Sequence, residues 1–222
     1  MTTRLKIYNG ALLLCGDRQL ASLSEDREPR YLLDLVWNDD GVRACLEQGQ
    51  WHFAMRATRL DYNPSIGPDW GYRRVFDKPN DWIVTSGVFS DETLCTPLIA
   101  YADEVGFWFS NNDEIWVRYV SDDATYGGNL AAWPATFTDY VKAYFAGRIA
   151  HKLPGSAQKV LFLFGPPGRE DRGYINRCLM IAKNKSAMTQ PATFPQRGSW
   201  ANARHSGLNR NRDGGSISQL IG

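Results

Sequence analysis

The residues from Pro134 to Leu153 read Pro-Ala-Thr-Phe-Thr-Asp-Tyr-Val-Lys-Ala-Tyr-Phe-Ala-Gly-Arg-Ile-Ala-His-Lys-Leu. At helical spacing Phe137, Tyr140, Val141, Tyr144 and Phe145 fall on one broad face. Ala143, Ala146, Gly147 and Ala150 fall roughly opposite, on a strip with almost no side-chain bulk. A helix that is apolar on one side and small on the other can be packed on both, and the small strip lets another helix backbone come close. Pro134 suits the first turn, where a missing N–H costs nothing, and Pro154-Gly155 is a stop. The stretch is therefore expected to be a central helix.

Other helices can be placed around it. Residues 4–15 predict a short apolar helix with Gly16-Asp17 as its stop. After a polar loop, Pro29 opens a second helix to about Gly49, with Leu32, Leu35, Val36, Val42 and Leu46 on one face. Asp39 and Arg43 lie four apart on that same face, to pair with each other or with a neighbouring subunit. Gly41 inside the pattern costs about 1 kcal/mol relative to alanine and invites a kink. Beyond the central helix, Ser156 can cap a short helix over 157–164. Gly165-Pro-Pro-Gly168 must interrupt it, and a last helix is expected over 169–187.

Between the second helix and the central one the character changes. Short β-prone runs begin at His52, Trp70, Trp82, Leu98, Gly106 and Glu114. Turn clusters separate them: Asn63-Pro64, Gly67-Pro68, Lys78-Pro79-Asn80-Asp81 and Ser110-Asn111-Asn112-Asp113. The last cluster, between two aromatic strands, reads as a hairpin. The expected class is α+β: a four-helix bundle (1–51 and 130–190) with an antiparallel β insertion (52–129) between the second and third helices.

Residues 191–222 cannot build a core. They are rich in Gly, Ser, Asn, Pro and Arg, a composition that predicts disorder in isolation. Yet they hold Phe194, Trp200, Leu208, Ile217, Leu220 and Ile221, anchors that a solvated linker does not need. The segment reads as an extended C-terminal arm that orders on a partner.

Chemistry finds little support. His52, His151 and His205 have no Cys or carboxylate at metal-ligand spacing. Cys15, Cys45, Cys95 and Cys178 form no Cys-x-x-Cys pair, which argues against zinc and against a disulfide framework. The adjacent acids Asp39-Asp40, Asp103-Glu104, Asp113-Glu114 and Asp122-Asp123 fall mostly in turns, where neighbouring carboxylates point apart. Gly165-Pro-Pro-Gly168 lacks the Gly-Lys-Ser/Thr ending of a phosphate loop, and no Ser or Cys sits in a nucleophile elbow. Neither an enzyme nor a bound cofactor is expected. Lys+Arg and Asp+Glu stand at 25 against 24, so no global field draws in nucleic acid or an anionic membrane. With no signal-like start and no apolar run of about 18 residues, the chain is expected to be soluble and made in the cytosol. At 13% the aromatic content serves either a rich core or protein contacts, since interfaces favour Trp and Tyr.

Several motifs, in order, resemble one family. Trp51-His-Phe-Ala54 leaves the second helix. Pro79-Asn-Asp-Trp-Ile-Val84 and Ile115-Trp-Val-Arg-Tyr-Val120 lie in the insertion. Trp133-Pro-Ala-Thr-Phe137 opens a helix ending Gly147-Arg-Ile-Ala150, and Gly198-Ser-Trp-Ala-Asn-Ala-Arg204 follows in the arm. Over residues 5–205 the chain resembles the tail tubular protein A, or head-to-tail adaptor, family of short-tailed bacteriophages and related prophages. The resemblance implies a structural virion protein of the tail or neck, made in the host cytoplasm. It implies a homo-oligomeric ring, expected to be a dodecamer, with the helical bundle as its body and DNA passing through the lumen without sequence recognition.

On that reading the insertion, through turns holding Pro64, Pro68, Asn111 and Asn112, meets the tail nozzle or tail tube. Phe194, Arg197, Ser199, Trp200, Arg204, Leu208, Ile217 and Leu220 form the portal-docking arm. Asp39, Arg43, Ala143, Gly147 and Ala150 belong to the bundle core or to the ring seam. Gly165–Gly168 departs from the single long fourth helix expected of the family. Near-neutral charge suits a channel through which DNA slides, because a strongly cationic lumen would hold phosphates. The competing reading is a carbohydrate-binding β module that stacks exposed Trp and Tyr on sugar rings; a third is DNA binding through the basic tail.

Overall fold

The Thr3 hydroxyl accepts a hydrogen bond from the Lys6 N–H at 3.3 Å and caps α1, Arg4–Leu14. Gly16, at φ +64°, turns the chain away after it. The computed structural model describes residues 2–68, 70–104, 106–153 and 156–189 of the 222. The described residues all fall in one compact unit, Met1–Thr189. The expected arm, 191–222, lies outside the described residues.

The long second helix expected from the periodicity is two helices, α2 (Glu28–Asn38) and α3 (Gly41–Glu47). They part at Asp40, whose φ of +54° is left-handed. The break is tight: a Cβ on Gly41 would lie 2.4 Å from the Val36 carbonyl oxygen and 3.3 Å from Phe145, so only glycine fits. Asp39 and Arg43 thus end up on different elements and do not pair with each other.

A 3-10 turn, His52–Ala54, leads into the strands β1 (Met55–Asp61), β2 (Arg74–Asp77), β3 (Trp82–Phe89), β4 (Ala102–Glu104), β5 (Phe107–Ser110) and β6 (Glu114–Ser121). They form two antiparallel three-stranded sheets, ordered β1-β6-β3 and β2-β5-β4. Met55 faces Val120 and Asp61 faces Glu114 at the two ends of the β1–β6 ladder. The expected hairpin at Ser110–Asp113 is not one, because β5 and β6 belong to different sheets. Alternation explains this. Trp108 on β5 and Ile115, Val117 and Tyr119 on β6 are all buried, and laying one sheet over the other buries all four together with Phe76 and Val88. The run at Leu98 is not a strand; it stays beside β3 through the Leu98 N–H on the Val88 carbonyl at 2.8 Å.

The chain returns to helix at α4, Ala135–Ala150, with Pro134 as its N-cap, one residue before the first turn in which it was expected. α5 (Ser156–Phe164) and α6 (Tyr174–Ala187) follow. Between them Gly165 and Gly168 adopt φ of +85° and +79°, and a 3-10 turn occupies Glu170–Arg172. The last helix therefore starts five residues later than expected. The described residues make a mixed helix-and-sheet fold, as the α+β class predicted, with six α-helices rather than four. α4 is buried around most of its circumference, with α1, α2, α3, α5 and α6 all touching it. Val120 and Ile83 put the outer face of the first sheet into the same helical core.

Candidate interaction surfaces

The small strip of α4 is occupied within the chain. Ala143 and Ala150 are fully buried, and a Cβ on Gly147 would meet Ile175 Cδ1 of α6 at 2.6 Å and Phe164 of α5 at 3.1 Å. At Gly147 α5 and α6 close on α4, and Ala143, Ala146 and Ala150 lie in the chain's own helical core.

Arg43 joins the helices to the strands. Its guanidinium lies 2.6 Å from Asp122 Oδ2 and donates to the Trp82 carbonyl at 2.8 Å. Asp39, at the end of α2, lies 3.4 Å from Arg148 of α4, both side chains largely exposed. A second clamp sits beside Arg43. Asp81 accepts from Arg56 at 2.8 Å, Ser121 at 2.5 Å and Tyr119 at 3.2 Å. Burial works against the charged form of Asp81, but the bonds from Ser121 and Arg56 outweigh it and hold the carboxyl below the usual carboxylate range. Burial also pushes the Tyr119 hydroxyl up, with the Asp81 charge adding to it.

Between the sheets Lys78 is nearly buried. Its ammonium lies 2.5 Å from Asp103, 3.8 Å from the centre of the Trp82 ring and 5.4 Å from that of Trp108. Thr85 donates to Asp103 at 2.5 Å and accepts from the Trp82 indole N–H at 3.1 Å. The Trp108 indole N–H reaches Asp103 Oδ2 at 3.1 Å. Each polar atom of this box has a partner, which marks a structural clamp rather than a site waiting for substrate.

The predicted tail-facing turns come together. Asn111 accepts from the Arg73 N–H at 3.1 Å, which ties the turn holding Asn111 and Asn112 to the loop holding Pro64 and Pro68. Pro64 and Asn111 are exposed, while Pro68 and Asn112 are half-buried. Beside them lies a patch that sequence reading did not single out. Trp70, 49% exposed, packs on Tyr72 at 5.5 Å and Phe109 at 6.0 Å. Strand alternation was the available signal, since a buried Trp108 turns Phe107 and Phe109 to the opposite face. Ile99, 93% exposed, projects from the loop before β4 and carried no sequence signal. Phe194, Arg197, Ser199, Trp200, Arg204, Leu208, Ile217 and Leu220 lie outside the described residues.

Two apolar grooves open on the helices. One, of about 450 Å³, lies between α2, α4 and α5 against Leu32, Leu35, Tyr144 and Phe164. The other, of about 470 Å³, is lined by Trp51, Phe53, Phe137 and Ala182. His52 Nδ1 there lies 3.2 Å from the Ser186 hydroxyl, and its buried Nε2 has no hydrogen-bond partner among the described residues. Burial, then the charge of Arg118, lowers the pKa of this imidazole and favours its neutral form.

No family model matches the chain, and no curated protein does. Among the described residues no three His, Cys, Asp or Glu side chains are grouped to hold a metal. The thiols of Cys15, Cys45 and Cys178 are buried and pushed up by that burial, which leaves them poor nucleophiles. Among the described residues no helix is long and apolar enough to cross a membrane.

Proposed function

We propose that the chain is a non-enzymatic virion protein, a ring-forming adaptor between the portal and the tail of a short-tailed phage. The observation that carries this reading is the outward face of the helical body. Tyr31, Leu35, Leu161, Phe162, Met180 and Ile181 are all about half exposed or more, while the body beneath them is well filled. Large side chains left outside a full core mark surfaces that neighbours cover.

On this reading α1, α2 with α3, α4, and α5 with α6 act as the four arms of a bundle, two of them broken. That bundle is the ring body. The β insertion projects towards the tail, and its joined turns, with Trp70 and Tyr72 beside them, meet the nozzle or tube. Residues 191–222 are the arm that reaches the portal, and DNA passes through the lumen. Negative-stain imaging of the purified chain, alone and with a portal protein from the same virion, tests the proposal. Closed rings are expected in at least one of the two. A monomer that leaves the portal unbound refutes it, and unchanged portal binding after removal of 191–222 refutes the arm.

One observation favours a second reading. The exposed Trp70, set edge-on to Tyr72 and tilted on Phe109, is the kind of side chain that stacks on sugar rings. Glycan binding by a stable monomer, lost in Trp70→Ala, would establish it over the adaptor.

A further inference from the structure

The faces of α2 and α6 turned away from α4 differ in charge. α2 packs inward through Leu33 and Val36. Its outer side carries Glu28, Tyr31 and Leu35 at helical spacing, with Asp26 just before the helix and Asp39-Asp40 just after it, all exposed. Asp26, Glu28 and Asp40 make no ion pair among the described residues. Of the cations near this face, Arg30 lies 2.7 Å from Asp34 and Arg148 lies beside Asp39, while Lys152 lines the groove beside Leu35.

α6 packs inward through Cys178 and Ala182. Its outer side carries Arg177, Ile181, Asn184 and Met188 at the same spacing, flanked by Met180 and Lys185. The helix has no acidic residue, and Arg177, Lys183 and Lys185 make no ion pair among the described residues. Each face therefore combines exposed apolar side chains with unpaired charge, predominantly acidic on α2 and basic on α6.

We propose that the α2 face of one copy docks on the α6 face of the next, and that this contact is the seam of the ring. The inference rests on the adaptor reading. Two different, complementary faces on one chain make a head-to-tail contact, the kind that generates rings; a self-complementary patch would stop at a dimer. Leu35 beside its groove and Met180 with Ile181 supply the apolar centre. Asp26 and Glu28 against Arg177 and Lys185 set the register and disfavour the reverse pairing, since like charges across an interface repel.

Charge reversal in the full-length chain tests the seam. The substituted positions are exposed, and far-ultraviolet circular dichroism verifies that each variant folds. Asp26→Lys with Glu28→Lys is expected to abolish rings in sedimentation and negative stain, and so is Arg177→Glu with Lys185→Glu. All four substitutions in one chain are expected to restore them. In a Cys95→Ser background, Leu35→Cys with Ile181→Cys should give a ladder of covalent oligomers with a short bis-maleimide. Rings that survive both reversals, no restoration in the combined chain, or no ladder each overturn the seam while leaving the adaptor reading standing. A wild-type chain that forms no ring, alone or on the portal, overturns both.

Discussion

The helical body and the strand insertion balance packing and polar clamps differently. Around α4 the body has a large core, with Tyr8, Trp51, Phe137 and Phe145 fully buried and α5 and α6 drawn close by the absence of a side chain at Gly147. The insertion has a second core of six buried side chains, Phe76, Val88, Trp108, Ile115, Val117 and Tyr119. A core that small removes little apolar surface from water. Polar clamps supplement it: Lys78 between two indoles and Asp103, and Asp81 held by Arg56, Tyr119 and Ser121. The body has a clamp of its own, Arg4, Arg30 and Tyr8 on Asp34, but its large core carries most of the weight; the insertion, with a small core, leans on such hydrogen bonds more heavily.

The strongest test of this contrast is Trp108→Ala. It removes the largest side chain of the small core and should cost about 3–5 kcal/mol. Hydrogen exchange should show the lost protection concentrated in β2–β6; an equal loss along α4 would mean the two regions are one cooperative unit. In the body the sensitive change is an addition. Gly147→Val places an isopropyl group against Ile175 and Phe164, and should cost roughly 1–3 kcal/mol by overpacking. A chemical denaturation midpoint unchanged from wild type would mean that α5 and α6 are not seated on α4 as described.

Asp81→Asn addresses the clamp and should cost about 1.5–3 kcal/mol at neutral pH, as expected for hydrogen bonds to a charged group. The pH dependence sharpens it. The folded Asp81 pKa is depressed, so its contribution is complete above the ordinary carboxylate pKa and is lost as pH falls through the folded value. Wild type should therefore lose stability more steeply than the variant below about pH 4. Parallel thermal-melt profiles for the two proteins would remove Asp81 from the account. The smallest effect is Asp39→Ala, expected at about 0–1 kcal/mol because its pair with Arg148 is exposed. A larger loss would give that surface pair a structural weight its exposure does not suggest.

The two regions also differed in how much of them was legible. α4 was plain because sixteen helical residues repeat one period and end in proline and glycine. The break at Gly165–Gly168 was plain because prolines cannot donate and glycines adopt positive φ. The Ser110–Asp113 turn misled, since two aromatic runs around four polar residues describe a hairpin and a sheet-to-sheet corner equally well. Asp39 and Arg43 misled for a related reason. Helical spacing counts only neighbours along one helix, whereas the nearest carboxylate to Arg43, that of Asp122, is 79 residues away. The clamp around Lys78 left no local trace, because its members come from four separate stretches.

The sequence alone determined the elements whose cause is local: which segments are helical, where prolines and glycines end them, and that a β-rich segment separates two helical ones. It also singled out the small strip of α4, though not what covers it. Tertiary structure decided that α5 and α6 close over Gly147, that β5 and β6 part into two sheets, and which sides of α2 and α6 face outward. The physical reason is common to all three. Period and turn chemistry act over a few residues, but which apolar face meets which is settled only when distant segments compete to bury the same surface.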